Sequence, residues 1–119
     1  MSVRSDAIFV LHILDAADKI AAYVKDLSED AFRERSMVHD AVIRQIEIIG
    51  EATKNLSPEF RASHSAIPWG DMAGMRDKLI HGYMGVDLQA VWDTARDDVP
   101  ALSSYLRRVV GSGEGSNGT

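Results

Sequence analysis

The chain has 119 residues, enough for one core, and its composition, 45% hydrophobic and 26% charged, is ordinary for a soluble protein. With no cysteine, disulfides and thiolate metal sites are excluded. A net charge of −5 argues against a non-specific nucleic-acid binder, which needs a basic field, but leaves room for recognition at a local basic cluster.

The first helix is predicted from about Ser5 to Leu27. Val10, Leu14, Ala17, Ala21 and Val24 repeat at four and three, and Phe9, Ile13, Ala16 and Ile20 form a second stripe beside them. A face that wide needs two neighbours. The apolar run Ala7 to Leu14 is too short to span a bilayer and has neither a basic leader nor a cleavage site, so a cytoplasmic protein is expected. His12 has no ligand-spaced partner and is read as structural.

Ser28-Glu29-Asp30 has the form of a helix start, with a capping serine and two acids in the first turn. A second long helix runs from Ser36 to Leu56, with Val38, Val42, Gln45, Ile49, Ala52 and Leu56 inward and Gln45 a polar intruder. Glu47 and Glu51, four apart, share a face, but no Glu-x-x-His follows to complete a metal bundle, so no metal site is expected. Ser57-Pro58 opens a short helix to about Ser63. His39 and His64 are read as surface or packing residues.

Pro68 opens the next helix, predicted as one rod from Trp69 to His81. At about 100° per residue, Trp69, Met72, Ala73, Met75, Leu79 and Ile80 share an apolar arc that includes Arg76. Gly70, Gly74, Asp77 and His81 form a stripe beside it. Gly82 is placed to end the helix in a left-handed conformation, with Tyr83 at the turn. Met84-Gly85 continues that turn. Asp87 caps the last helix, Val86 is positioned to staple against Val91, and Leu88, Ala95, Val99, Leu102, Leu106 and Val109 face inward. Pro100 within that pattern predicts a bend. The fold class is therefore all-α, an antiparallel up-and-down bundle of three or four main helices with one or two short ones, in a single domain over residues 1–110. Residues 111–119, rich in glycine and serine, form a tail predicted to be disordered.

Arg76, four residues, His81, one residue and Tyr83 resemble the motif of HEPN-domain ribonucleases, specifically HepT-like toxins. The surroundings strengthen the resemblance: Ile49-Gly50-Glu51-Ala52-Thr53-Lys54, Pro68-Trp69, Gly74-Met75-Arg76-Asp77, Val86-Asp87, Val91-Trp92 and Val99-Pro100 come in the family's order. It covers roughly Ser5 to Val110. The resemblance implies a homodimer whose motif lines a shared cleft, an RNA substrate, and a minimal nucleotidyltransferase antitoxin that uses ATP to adenylylate Tyr83.

The residue types suit that chemistry. RNA carries its own nucleophile in the 2′-hydroxyl, so no cofactor is required. His81 is the expected acid–base group, Arg76 the fork for charge on the phosphorus centre, and Asp77, four residues before His81, the group that orients the imidazole. Arg76 and His81 lie about 140° apart on an ideal helix, which a composite cleft across a two-fold axis would resolve. Two rivals are a non-catalytic module that binds nucleotide or docks the nucleotidyltransferase, and a structural dimer with Arg76 tied to Glu47 or Glu51.

Overall fold

The computed structural model describes residues 3–79 and 85–111, the side chains of Val3, Arg4, Arg76 and Lys78 excepted. Its described residues form helices and connectors with no strand: α1 (Val3–Val24), α2 (Glu29–Arg33), α3 (Ser36–Asn55), α4 (Pro58–Ser63), α5 (Trp69–Ala73), α6 (Met75–Leu79), α7 (Leu88–Asp93), a π-helical turn (Thr94–Asp98) and α8 (Val99–Gly111). The all-α fold is as the periodicity predicts. No helix of the described residues is long and apolar enough to cross a membrane. The part of the predicted tail beyond Gly111 lies outside the described residues, and Gly111 itself ends α8.

Local chemistry starts three of these helices. Ser28 Oγ accepts from Ala31 N–H at 3.1 Å, Ser57 Oγ from Phe60 N–H at 3.0 Å, and Asp87 Oδ1 from Ala90 N–H at 3.0 Å. Each satisfies a donor that the first helical turn leaves open. The first helix stops at Val24, three residues short of the prediction, where Asp26 takes a left-handed φ of 62° and Leu27 N–H donates to the Val24 carbonyl.

Helix α3 is the centre of the molecule. It runs antiparallel to α1, because Asp6 at the start of α1 meets Ser57 just past the end of α3. The Asp6 carboxylate accepts from Ser57 N–H at 2.8 Å and Ser57 Oγ–H at 2.7 Å, and all of this is buried. The predicted inward stripe of α3 is buried except for half-buried Val38, and Ile43 and Ile46 are buried as well, since α3 touches α1 on one side and α5, α6 and α7 on others. Helix α8 packs on α1, with Arg107 paired to Asp18. Ala21, predicted inward, is exposed beside a groove between those helices.

Val86, positioned by the sequence to staple against Val91, is 41% exposed, whereas Val91 is fully buried. The bend expected at Pro100 takes the form of a π turn, with Val99 N–H donating to the Thr94 carbonyl five residues back. Proline lacks the N–H that would bond to the residue 96 carbonyl, so the preceding turn widens rather than breaks. His39 and His64 are packing residues: His39 Nε2 bonds the Phe32 carbonyl, and His64 Nδ1 lies 2.9 Å from the Tyr105 hydroxyl.

Candidate active site

The segment that carries the motif is tied down at its start. Trp69, buried at the head of α5, donates its indole N–H to the carbonyls of Arg61 (3.1 Å) and His64 (3.0 Å), fastening α5 to the end of α4. The single rod predicted over Trp69–His81 is broken. Gly74, at φ −96° and ψ 9°, separates α5 from α6, and Asp77 N–H bonds back to the Gly74 carbonyl at 3.1 Å. The apolar arc survives the break: Trp69, Met72, Met75 and Leu79 are all buried. An ideal-helix angle carried across Gly74 is not valid, so the predicted stripe from Gly70 to His81 is not one straight line.

Gly50 explains the closeness of α3 to this break. A β-carbon there would lie 3.2 Å from the Ala73 carbonyl oxygen and 3.6 Å from that of Met72. Only a glycine lets the α3 backbone sit so near the end of α5 without displacing it. Gly70 and Gly74 are different: among the described residues a β-carbon on Gly70 would meet nothing within 4 Å, and one on Gly74 would meet only the Gly70 carbonyl at an ordinary 3.5 Å.

The far side of the motif is also anchored. Asp87 N–H donates to the Leu79 carbonyl at 2.8 Å, which holds together the two ends of the segment between them. Gly85 within it takes φ +98°, a left-handed conformation that favours glycine. The side chain of Arg76, and His81, Gly82 and Tyr83 entire, lie outside the described residues. So does the proposed pairing of Arg76 with Glu47 or Glu51, although Glu51 stands 3.6 Å from Lys54.

Asp77 is described, and it is exposed. It lines a groove of about 570 Å³ between α1, α3 and the α5–α6 break, together with Ala73, Phe9, His12, Arg44, Glu47 and Glu51. His12, read from sequence as a structural residue, is exposed in this groove, edge-on to the Phe9 ring with centroids 5.8 Å apart. Sequence reasoning reads His12 as structural and offers Arg44 only as one of several basic residues for a local cluster, because neither has a spaced partner on its own helix. Only the packing of α1 against α3 brings them beside Asp77. Among the described residues, no group of three or more histidine and carboxylate side chains is arranged to hold a metal ion.

The comparisons with known proteins agree with one another. The profile of the family described as Ribonuclease HepT-like matches residues 13–109. A protein of Methanocaldococcus jannaschii named as a gamma-glutamylcyclotransferase and candidate RNase is 46% identical over 91% of this chain, which spans about half (49%) of that protein's length. A candidate RNase of Caldanaerobacter subterraneus subsp. tengcongensis is 40% identical, with 86% of this chain and 91% of the relative covered. A probable ribonuclease HepT of Thermococcus cleftensis is 39% identical, with 89% and 96% covered. No solved structure matches. With four-fifths of its length inside the family profile and relatives of about its own size at 40% and 39% identity, this chain belongs to the HepT-like ribonuclease family.

Proposed function

We propose that the protein is a metal-independent endoribonuclease, the toxin of a toxin–antitoxin pair, acting as a homodimer with a composite cleft. The observation that carries the reading is the family match over residues 13–109, which takes in Arg76, His81 and Tyr83 at the motif's spacing. The closed ends of the motif segment, at Leu79 and Asp87, are consistent with a site whose groups must hold their geometry.

In this reading His81 takes the proton of the ribose 2′-hydroxyl or delivers one to the departing 5′-oxygen. Arg76 sets its planar fork against the negative charge gathering on the phosphorus centre. Asp77 orients the imidazole and favours its charged form. The products are a 2′,3′-cyclic phosphate and a 5′-hydroxyl. The antitoxin is a minimal nucleotidyltransferase that places an adenylate on Tyr83, and the added phosphate then occupies the site beside Arg76 and His81.

The test is an RNA-cleavage assay on the purified protein in the presence of a chelator. Wild type is expected to release cyclic-phosphate ends. His81→Ala and Arg76→Ala each lose at least about a hundredfold, at the scale of one acid–base or electrostatic group. Arg76→Lys recovers little, because a point charge does not replace the fork. RNA binding with no cleavage by wild type would instead favour the non-catalytic module. Incubation with the nucleotidyltransferase and ATP should add one AMP to wild type and none to Tyr83→Phe.

A further inference from the structure

The groove beside Asp77 holds groups that the motif does not use. Arg44 is exposed in it and has no ion pair or hydrogen bond among the described residues, whereas Lys19, Arg33, Lys54 and Arg107 are each paired. His12 is exposed there too, with no hydrogen bond among the described residues, and its ring stands at 87° to Phe9. Phe9 is half-buried against the core, so it supports the imidazole from behind. An uncommitted guanidinium and a supported flat ring in one groove of about 570 Å³ match the elements that hold an unpaired nucleotide: a cation for phosphate and a π-face for the base.

The carboxylates in the same groove decide between a long polyanion and a short one. Glu47, Glu51 and Asp77 outnumber the cations Arg44 and Lys54 there, the latter 3.6 Å from Glu51, and would repel a backbone threaded along the groove's whole length. They suit a single base, whose amino edge donates to a carboxylate. We propose that this groove is a nucleotide subsite flanking the scissile phosphate, taking one unpaired RNA nucleotide with its phosphate on Arg44 and its base against His12. The proposal rests on the ribonuclease reading and adds to it the substrate class, single-stranded RNA, and two residues outside the motif.

The experiment measures binding of a short, fluorescently labelled 2′-O-methyl oligoribonucleotide, which lacks the nucleophile, alongside cleavage of the unmodified strand. Arg44→Glu should weaken binding about tenfold or more, His12→Ala about fivefold or more at the scale of base stacking, and both should raise KM more than they lower kcat. Arg35→Glu, the same charge change at another exposed position, controls for net charge. Equal losses in Arg44→Glu and Arg35→Glu, or unchanged affinity in Arg44→Glu and His12→Ala, would overturn the subsite. Cleavage by wild type with Arg44-independent affinity keeps the enzyme and removes the subsite. Arg44-dependent binding without any cleavage keeps the subsite and removes the enzyme. Neither binding nor cleavage by wild type overturns both.

Discussion

A glycine inside a helix costs about 1 kcal/mol against alanine, so Gly50→Ala in an unconstrained α3 would stabilise the protein. The Ala73 carbonyl, 3.2 Å from the position of the new methyl, must yield, and that cost offsets the gain. We expect Gly50→Ala to gain nothing in urea unfolding and Gly50→Val to lose about 1–3 kcal/mol by overpacking. A Gly50→Ala variant stabilised by the full helix-propensity difference would show that the contact is slack. Asp6 is a second single-residue case: Asp6→Ala leaves the Ser57 N–H and hydroxyl buried without their acceptor, at about 1–3 kcal/mol, and Asp6→Asn should fall between it and wild type. Both residues show where sequence reading stops. Gly50 stood out as part of a family landmark, and Asp6 lies beside Ser5, where the first helix is predicted to start. The reason for each lies in a partner far along the chain, Ala73 and Ser57.

Helix starts were legible because caps are local: Ser28, Ser57 and Asp87 each act within three residues, and all three make the bonds expected of them. The break at Gly74 was not legible, because Trp69, Met72, Met75 and Leu79 keep helical spacing straight through it, and periodicity records which side chains turn inward rather than whether the backbone is continuous. The π turn was half legible. Pro100 announced a disturbance, but its form follows from packing: Val91, Ala95 and Val99 are buried in two successive steps of four, each overshooting an α-turn by about 40°, and a wider turn takes up the excess. The element most exposed to test is the closure of the motif segment. Asp87→Pro deletes the N–H that bonds Leu79, at a backbone φ of −83° that proline tolerates, and also loses the cap. Asp87→Ala loses only the cap, at about 0.5–2 kcal/mol. Circular dichroism should find both variants helical, while RNA cleavage falls much further in Asp87→Pro than in Asp87→Ala. Equal activity in the two would mean that this hydrogen bond does not hold the site.

At the scale of the whole molecule, the question is how an acidic chain with one imidazole in its motif builds a site for RNA. A single sequence contains no direct record of a second copy; the hints were the family resemblance, the angle between Arg76 and His81 on an ideal helix, and two glycines on one side of the motif segment. The structure sharpens that hint, because neither glycine is required by contacts within the described residues: a β-carbon at Gly70 meets nothing within 4 Å, and Gly70 is exposed. Compare Gly50, where the neighbour that excludes a side chain is in the same chain. If a second molecule is what keeps Gly70 small, a symmetric partner approaching along this side would bring two motif segments together. Gly70→Leu separates the cases. In a monomer it is harmless and slightly stabilising, since leucine is the better helix former by up to about 1 kcal/mol. Against a two-fold partner it obstructs close approach. We expect Gly70→Leu to run as a monomer in light scattering, to unfold no more easily than wild type once protein concentration is accounted for, and to lose cleavage although Arg76, His81 and the Arg44 groove are untouched. A Gly70→Leu protein that is still dimeric and still cuts RNA would move the subunit contact to a different face.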